Sequence, residues 1–324
     1  MNILITGGAG FIGSHLTKFH LEKGDNVVVI DNLITGSKEN IKDFLKNKNF
    51  KFIKQDLLTL NFSSKIKWLT FNLDLIYHLA SPASPNHHSP ISYHTLAKET
   101  MLVNTQGTLK LLELAKKHQA KFLFASTSEI YGNPLEHPQK ESYFGNVNPI
   151  GPRSIYDEAK RFGETIVSYY WNKENVDARI ARIFNTYGPN MRIDDKRMIV
   201  NFIYQALKNQ PITIYGDGKQ TRSLCYVADL VEGLYKLITK KGTNKQVINL
   251  GNPQEHTVLE YAQIIKKLTN SKSKIIFKEP LPIDDPEKRC PDITKAKQIL
   301  NWTPKVSLID GLNKTINYFK KNIL

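Results

Sequence analysis

The apolar positions of this chain come in two rhythms. Short, nearly continuous runs at Asn2 to Thr6, Asn26 to Ile30, Lys51 to Ile53, Leu73 to Tyr77, Lys121 to Ala125 and Ala178 to Ile183 read as strands. Between them, Phe11 to Lys23, Thr100 to His118 and the segment after Pro152 space their apolar residues three and four apart, as one helix face does. Pro152 suits a helix start, and Phe162, Ile166 and Val167 continue that face. Such alternation predicts an α/β fold, a doubly wound parallel sheet with helices on both faces. From about Asn185 the pattern is less regular, with a turn at Tyr215-Gly-Asp-Gly218 and helices near Val227 to Ile238, Leu259 to Leu268 and Leu308 to Lys321. A larger domain over residues 1–184 and a smaller one over 185–324, partly interleaved with it, are expected.

The first predicted strand runs into Gly7-Gly8-Ala9-Gly10-Phe11-Ile12-Gly13, which opens the first predicted helix. Gly7, Gly10 and Gly13 let the backbone approach a pyrophosphate, and the helix N-terminus at Phe11 and Ile12 offers free N–H groups. Asp31 ends the second strand, where its carboxylate can accept bonds from both ribose hydroxyls, with Asn32, Thr35 and Gly36 on the turn that follows. That favours NAD over NADP and makes the first domain a Rossmann-type NAD-binding domain. Asp56 and Leu57 close the third strand on the adenine side, and Leu79, Ala80 and Ser81 close the fourth near the nicotinamide.

The fifth strand leads into Ser126-Thr127-Ser128-Glu129-Ile130-Tyr131-Gly132, and its carboxyl end points at the same crevice. Tyr156 and Lys160 are four apart on one predicted helix face. Alone, Tyr-x-x-x-Lys is a common pair on an exposed helix. With the glycine loop it becomes a proton-transfer set: a phenol with an ordinary pKa of ~10 serves as base once a cation beside it favours the phenolate. Thr127 supplies a hydroxyl for the substrate, and Glu129 a carboxylate for a second proton step.

Composition narrows the classes. The formal charge of +15 comes from lysines scattered through the helices, which fits a polyanionic small substrate better than nucleic acid. Cys225 and Cys290 lie far apart without metal-type spacing, as in a reducing, cytoplasmic compartment. The chain enters a strand at once, and no long apolar span follows, so neither export nor a membrane span is expected. His87, His88 and His94 cluster in sequence without a carboxylate or cysteine, and redox chemistry on a nicotinamide needs no metal.

The glycine loop, Asp31-Asn32, His78-Leu-Ala-Ser81, Thr127-Ser-Glu-Ile-Tyr-Gly132 and Tyr156-x-x-x-Lys160 resemble the extended short-chain dehydrogenase/reductases acting on nucleotide sugars. Ser81-Pro-Ala-Ser-Pro85, Asn148-Pro-Ile-Gly-Pro-Arg153, Ala181-Arg-Ile-Phe-Asn-Thr-Tyr-Gly-Pro189 and Asp284-Asp-Pro-Glu-Lys-Arg289 are most similar to the UDP-glucuronate decarboxylase family, over nearly the whole chain. The resemblance implies NAD-dependent decarboxylation of UDP-glucuronate to UDP-xylose. In it, Tyr156 removes the C4 hydroxyl proton as hydride leaves C4, the C4-ketone makes loss of carbon dioxide easy, and the hydride returns to C4. Lys160 then holds the ribose and lowers the Tyr156 pKa, Thr127 bonds the C4 oxygen, Glu129 assists proton traffic at C5 or positions the sugar, and Arg289 meets the carboxylate.

For the nucleotide the resemblance implies Asn185, Arg192, Arg197, Tyr215, Gln220 and Arg222, with Ser81 also near the sugar and Thr186 near the cofactor. Ser128 stands where related dehydratases carry an acid that expels water, which disfavours dehydration. Other outcomes within the family are 4-epimerisation and 4,6-dehydration. The segment from Asn86 to Asn104 is longer than in typical decarboxylases, and Cys290 stands where they commonly have lysine. A homodimer through helices near Leu102 to Lys117 and Ser154 to Tyr170 is implied by resemblance alone.

Overall fold

A computed structural model describes residues 1–62, 72–278, 280, 286 and 288–323. Asp284, Asp285 and Glu287 of the string ending in Arg289 lie outside the described residues. The first half is built from β1 (Asn2–Thr6), α1 (Phe11–Glu22), β2 (Asn26–Asp31), β3 (Phe50–Lys54), β4 (Leu75–His78), α2 (Ala97–Leu102), α3 (Thr108–His118), β5 (Lys121–Thr127), α4 (Ser154–Lys173) and β6 (Ala178–Ile183). Then follow β7 (Thr186–Tyr187), α5 (Met198–Leu207), β8 (Ile212–Tyr215), β9 (Thr221–Ser223), β10 (Cys225–Tyr226) and α6 (Val227–Thr239). The chain closes with β11 (Val247–Leu250), β12 (Glu255–Thr257), α7 (Val258–Leu268), β13 (Ile275–Lys278), α8 (Thr294–Leu300) and α9 (Leu308–Ile323).

Seven strands form one sheet in the order β11-β6-β5-β4-β1-β2-β3, every pair parallel. Burial on both faces explains why the strands read as unbroken apolar runs. Ile3, Ile5, Val27, Val29 and Tyr77 pack on one side, Leu4, Val28, Ile30, Ile76 and Phe124 on the other, as the two-residue repeat of a strand dictates. Strand order reverses between β1 and β4, so the chain diverges there and leaves a crevice at the strands' carboxyl ends. The later segments add small two-stranded pairs, β7 with β10, β9 with β12 and β8 with β13, over that crevice. No helix among the described residues is long and apolar enough to cross a membrane.

Two local expectations are corrected. The helix expected from Thr100 to His118 starts at Ala97 and is interrupted by a π turn over Val103–Gly107. The wider turn lets the Val103 carbonyl meet His78 Nε2 at 3.2 Å and brings Asn104 Nδ2 to 2.8 Å from Ser81 Oγ. Pro152 precedes the helix it was expected to open: Arg153 is the N-cap, and the Ser154 N–H closes a turn onto the Gly151 carbonyl at 3.0 Å.

Gly163 lets α4 lie against this interrupted helix and β5. A Cβ at this position would stand 2.5 Å from Phe124 Cζ and 3.0 Å from the Asn104 carbonyl oxygen. Gly163→Ala is therefore expected to destabilise the fold by about 1–3 kcal/mol, read as a lower urea midpoint with unchanged slope.

Candidate active site

The carboxyl ends of the strands and the pairs above them enclose a cavity of about 870 Å³. Every cofactor- or substrate-side residue expected from sequence lines it except Gly36. Gly36 lies behind the wall, where a Cβ would stand 2.8 Å from Asp31 Oδ1.

At the glycine-loop end the chain packs so closely that a Cβ on Gly13 would stand 2.2 Å from the Gly7 carbonyl oxygen. Gly10 caps α1 without a side chain, leaving the helix N-terminus bare toward the cavity. Asp31 is buried, and its oxygens accept the Ala9 N–H at 3.0 Å and the Leu33 N–H at 2.8 Å. Burial pushes its pKa up while those two bonds pull back. Asp56 lies two residues past β3 and accepts from Asn32 Nδ2 at 2.9 Å. This fixed carboxylate beside a bare helix N-terminus, in a loop with no room for a side chain, fits the ribose and pyrophosphate of a dinucleotide.

At the other end, Tyr156 lies beside Thr127, whose hydroxyl opposes the rise of its pKa. Thr127 Oγ1 accepts the Glu129 N–H at 3.2 Å, so the turn after β5 fixes both groups. Lys160 points inward as its spacing requires, and its Nζ donates to the Ala125 carbonyl at 2.7 Å. Burial reverses the expected pKa relation, however. It pushes Tyr156 well above the usual phenol range, with ionised Glu129 acting the same way and the Thr127 hydroxyl opposing both. It also brings Lys160 down to about 7, so this lysine is only partly charged at neutral pH and is not among the leading influences on Tyr156.

Glu129 is the electrostatic centre of this end. Burial pushes its carboxyl up, but the guanidiniums of Arg153 and Arg289 outweigh that and hold it down to about 2. Arg153 Nη2 contacts Oε2 and Arg289 Nη1 contacts Oε1. Arg289 is thus a buried wall of the cavity, with Ser223 Oγ donating to its carbonyl at 3.1 Å.

Three neighbours were not read from sequence as site residues. Arg153 ends the Asn148 to Arg153 string, which was the available signal. Tyr93 is fully buried and stacks nearly parallel on Tyr156, centroids 5.0 Å apart. Asp157 is buried beside them, its pKa pushed up to about 8 by burial and by Glu129. Neither Tyr93 nor Asp157 had a sequence signature.

The longer segment after Pro85 lines the cavity with Asn86, His87, His88 and Ile91. Ser84 Oγ, Asn86 Nδ2 and Ser89 Oγ anchor it to the carbonyls of Asp195, Lys196 and Asp194 at 3.0, 3.1 and 2.7 Å. His87 stacks on His94 at 3.7 Å.

Toward the β8 and β9 side, Arg192 pairs with Asp194 at 2.6 Å and Arg197 with Asp195, which aims both guanidiniums along the wall. Gln220 Nε2 donates to the Tyr215 carbonyl at 3.0 Å, while its Oε1 is buried with no partner among the described residues. Arg222 is buried and donates to the Thr221 carbonyl at 2.8 Å. Asn185 and Thr186 continue the wall after β6.

Comparison with known proteins matches this geometry. The family model described as GDP-mannose 4,6 dehydratase fits residues 4–315. UDP-glucuronic acid decarboxylase 4 of Arabidopsis thaliana is 49% identical over 325 residues, covering 100% of this chain and 69% of that protein. UDP-glucuronic acid decarboxylase 1 of Danio rerio is 49% identical over 321 residues, covering 99% of this chain and 73% of that one. The chain belongs to the UDP-glucuronic acid decarboxylase family of extended short-chain dehydrogenase/reductases.

Among solved structures, this family member is similar to a UDP-glucuronic acid 4-epimerase from Bacillus cereus, solved with UDP-glucuronic acid and NAD. That pair has 32% identity and a TM-score of 0.86, covering 99% of this chain and 100% of that one. A UDP-glucose 4-epimerase from Thermotoga maritima, solved with UDP-glucose, gives 30% identity and a TM-score of 0.86 with both chains fully covered.

The fold lowers the Glu129 pKa from its ordinary 4.5, so this group contributes stability above about pH 4.5 that is lost as pH falls toward 2. The stability difference between the native chain and Glu129→Gln should therefore shrink by roughly 3 kcal/mol between pH 6 and pH 2, measured by urea unfolding at each pH.

Proposed function

We propose that this chain decarboxylates UDP-glucuronate to UDP-xylose through a C4-ketone, using NAD catalytically. The observation that carries the reading is the buried Arg289 guanidinium on the cavity wall. One of its N–H groups holds Glu129, and the remaining donors of the planar fork are shaped for a carboxylate on the bound sugar. A sugar with a neutral C6 hydroxymethyl group gives those remaining donors no carboxylate to meet.

The glycine loop and Asp31 fit NAD, which when bound accepts and returns one hydride. Thr127 and Tyr156, side by side on the cavity wall, hold the C4 oxygen, and Tyr156 takes its proton. Burial raises the Tyr156 pKa in the protein alone, and the positive charge of a bound oxidised nicotinamide would favour the phenolate. Lys160, which spends one N–H on the Ala125 carbonyl, would hold the ribose of the bound dinucleotide with another. The C4-ketone lies β to the carboxylate, so the electrons of the breaking C5–C6 bond delocalise into it and carbon dioxide departs. As the enolate collapses, C5 takes a proton from solvent water, and when hydride returns to C4 its oxygen regains the proton held by Tyr156. Glu129, ionised and gripped by two guanidiniums, is poorly suited to donate the C5 proton. Of its two expected roles, positioning is the one its surroundings favour. Ser128 supplies no acid strong enough to expel water.

For the nucleotide we assign Asn185 and Arg222 to the diphosphate and Arg192, Arg197, Tyr215 and Gln220 to the neighbouring parts of UDP. Residues 1–184 act as the NAD-binding part and 185–324 as the sugar-nucleotide part. A homodimer is supported by the exposed apolar side chains Met101, Leu109, Phe162 and Tyr169 on α2, α3 and α4. A cytoplasmic setting is supported by the two free, buried cysteines.

Incubation with UDP-glucuronate and NAD, followed by NMR of the sugar, tests the assignment. UDP-xylose is expected, with Tyr156→Phe slowing its formation by roughly 10²–10⁴-fold. Arg289→Lys should lower kcat/KM by about 10–100-fold through the loss of the fork. UDP-galacturonate as product, or no change, would replace this reading with a 4-epimerase or another nucleotide sugar.

A further inference from the structure

Behind Arg289, away from the cleft chemistry, three distant segments meet. His137, Glu255 and Cys290 bring an imidazole nitrogen, a carboxylate oxygen and a thiol sulfur to within 4.8 Å of one another. Backbone pairing sets this geometry. The Gln139 N–H donates to the Cys290 carbonyl and the Cys290 N–H to Gln139 Oε1, both at 2.9 Å, while the Asp292 N–H reaches the Gln139 carbonyl at 2.8 Å. Those bonds stitch the His137 segment to the Cys290 segment. Glu255 starts β12, in register with Ser223 of β9, and Thr221 Oγ1 donates to its Oε1 at 2.6 Å. The other oxygen, Oε2, faces His137 Nε2 at 2.8 Å.

We propose that His137, Glu255 and Cys290 form a structural site for a thiophilic divalent cation of the zinc class. A mixed nitrogen, oxygen and sulfur donor set suits zinc, whereas magnesium and calcium take oxygen ligands. Zinc bonds of about 2.0–2.3 Å place tetrahedral ligand atoms roughly 3.3–3.8 Å apart, so the trio closes on an ion by opening the His137–Glu255 contact slightly. The Thr221 hydroxyl orients the carboxylate, as outer partners of metal ligands do. Cys290 is buried, while the His137 side chain is 35% exposed, so an ion has an entry path and the fourth position faces water. No metal was expected, because Cys225 and Cys290 lack metal-type spacing and redox chemistry on a nicotinamide needs none; this site departs from that expectation.

Cys290 is the next residue after Arg289, so the ion would pin the segment that carries the guanidinium. This consequence rests on the reading of Arg289 given above; the site itself does not.

The test strips the full chain with a chelator and titrates it with cobalt(II), whose spectrum reports thiolate ligation directly. The expected result is tetrahedral visible bands with a thiolate-to-cobalt charge-transfer band, displaced by zinc, and a higher thermal midpoint with zinc. Cys290→Ser should abolish the charge-transfer band, and His137→Gln, at an exposed position that leaves the fold intact, should weaken zinc binding at least roughly tenfold. A natively folded chain that shows no charge-transfer band, or a band that survives Cys290→Ser, would overturn the proposal. Turnover enters none of these readouts, so failure here leaves the decarboxylase reading standing, and failure of that reading leaves this one standing.

Discussion

One buried carboxylate organises the reacting end of this molecule. Glu129 sits where desolvation alone would protonate it, and it stays ionised because two guanidiniums from distant segments close on its two oxygens. Removing Glu129 would leave two guanidiniums in low dielectric without their counter-charge, and removing either arginine would leave one carboxylate oxygen without its partner, so the three groups are tied to one another. The turn after β5, the N-terminus of α4 and the segment before α8 are thereby joined at a single point. Tyr156 and Thr127 lie on two of those three pieces.

The sheet gives this clamp its place. Strand order reverses between β1 and β4, and the ends of β1, β2, β4 and β5 face one crevice, so the glycine loop, Asp31 and the Thr127 turn line a common cavity. Aiming depends on smaller irregularities. At the π turn of Val103–Gly107, His78 Nε2 donates to the Val103 carbonyl and Asn104 Nδ2 donates to Ser81 Oγ, which ties the post-β4 segment to the same wall.

The sequence was legible where one physical rule dominates. Strands buried on both faces wrote themselves as apolar runs, and β1 to β6 follow them closely. The glycine loop announced itself because only glycine fits so tight a chain. β11 was not read, because Asn249 interrupts its apolar run; that side chain is buried and satisfied by Tyr131 and by the carbonyls of Gln139 and Asp292. Helices α5 and α8 went unread in the less regular second half. Arg153 after a proline turn looks like any surface cation, and only the folded chain puts Glu129 against it. Spacing places Tyr156 and Lys160 on one face but says nothing of how dry that face is, and burial raises the pKa of the one and lowers that of the other in the protein alone.

The position of β11 has a consequence for how the molecule is put together. Without it β6 would be the sheet's last strand, and its outer row of N–H and C=O groups would face solvent. The strand that covers this row is supplied only after the chain has passed through the whole β7 to α6 region. A polypeptide emerging in order thus carries a ready template for wrong pairing until about residue 250 has been made. The strand that completes the sheet and the strands β12 and β13 that complete the cavity roof all lie in the last third of the chain, so both halves of the sequence contribute to each.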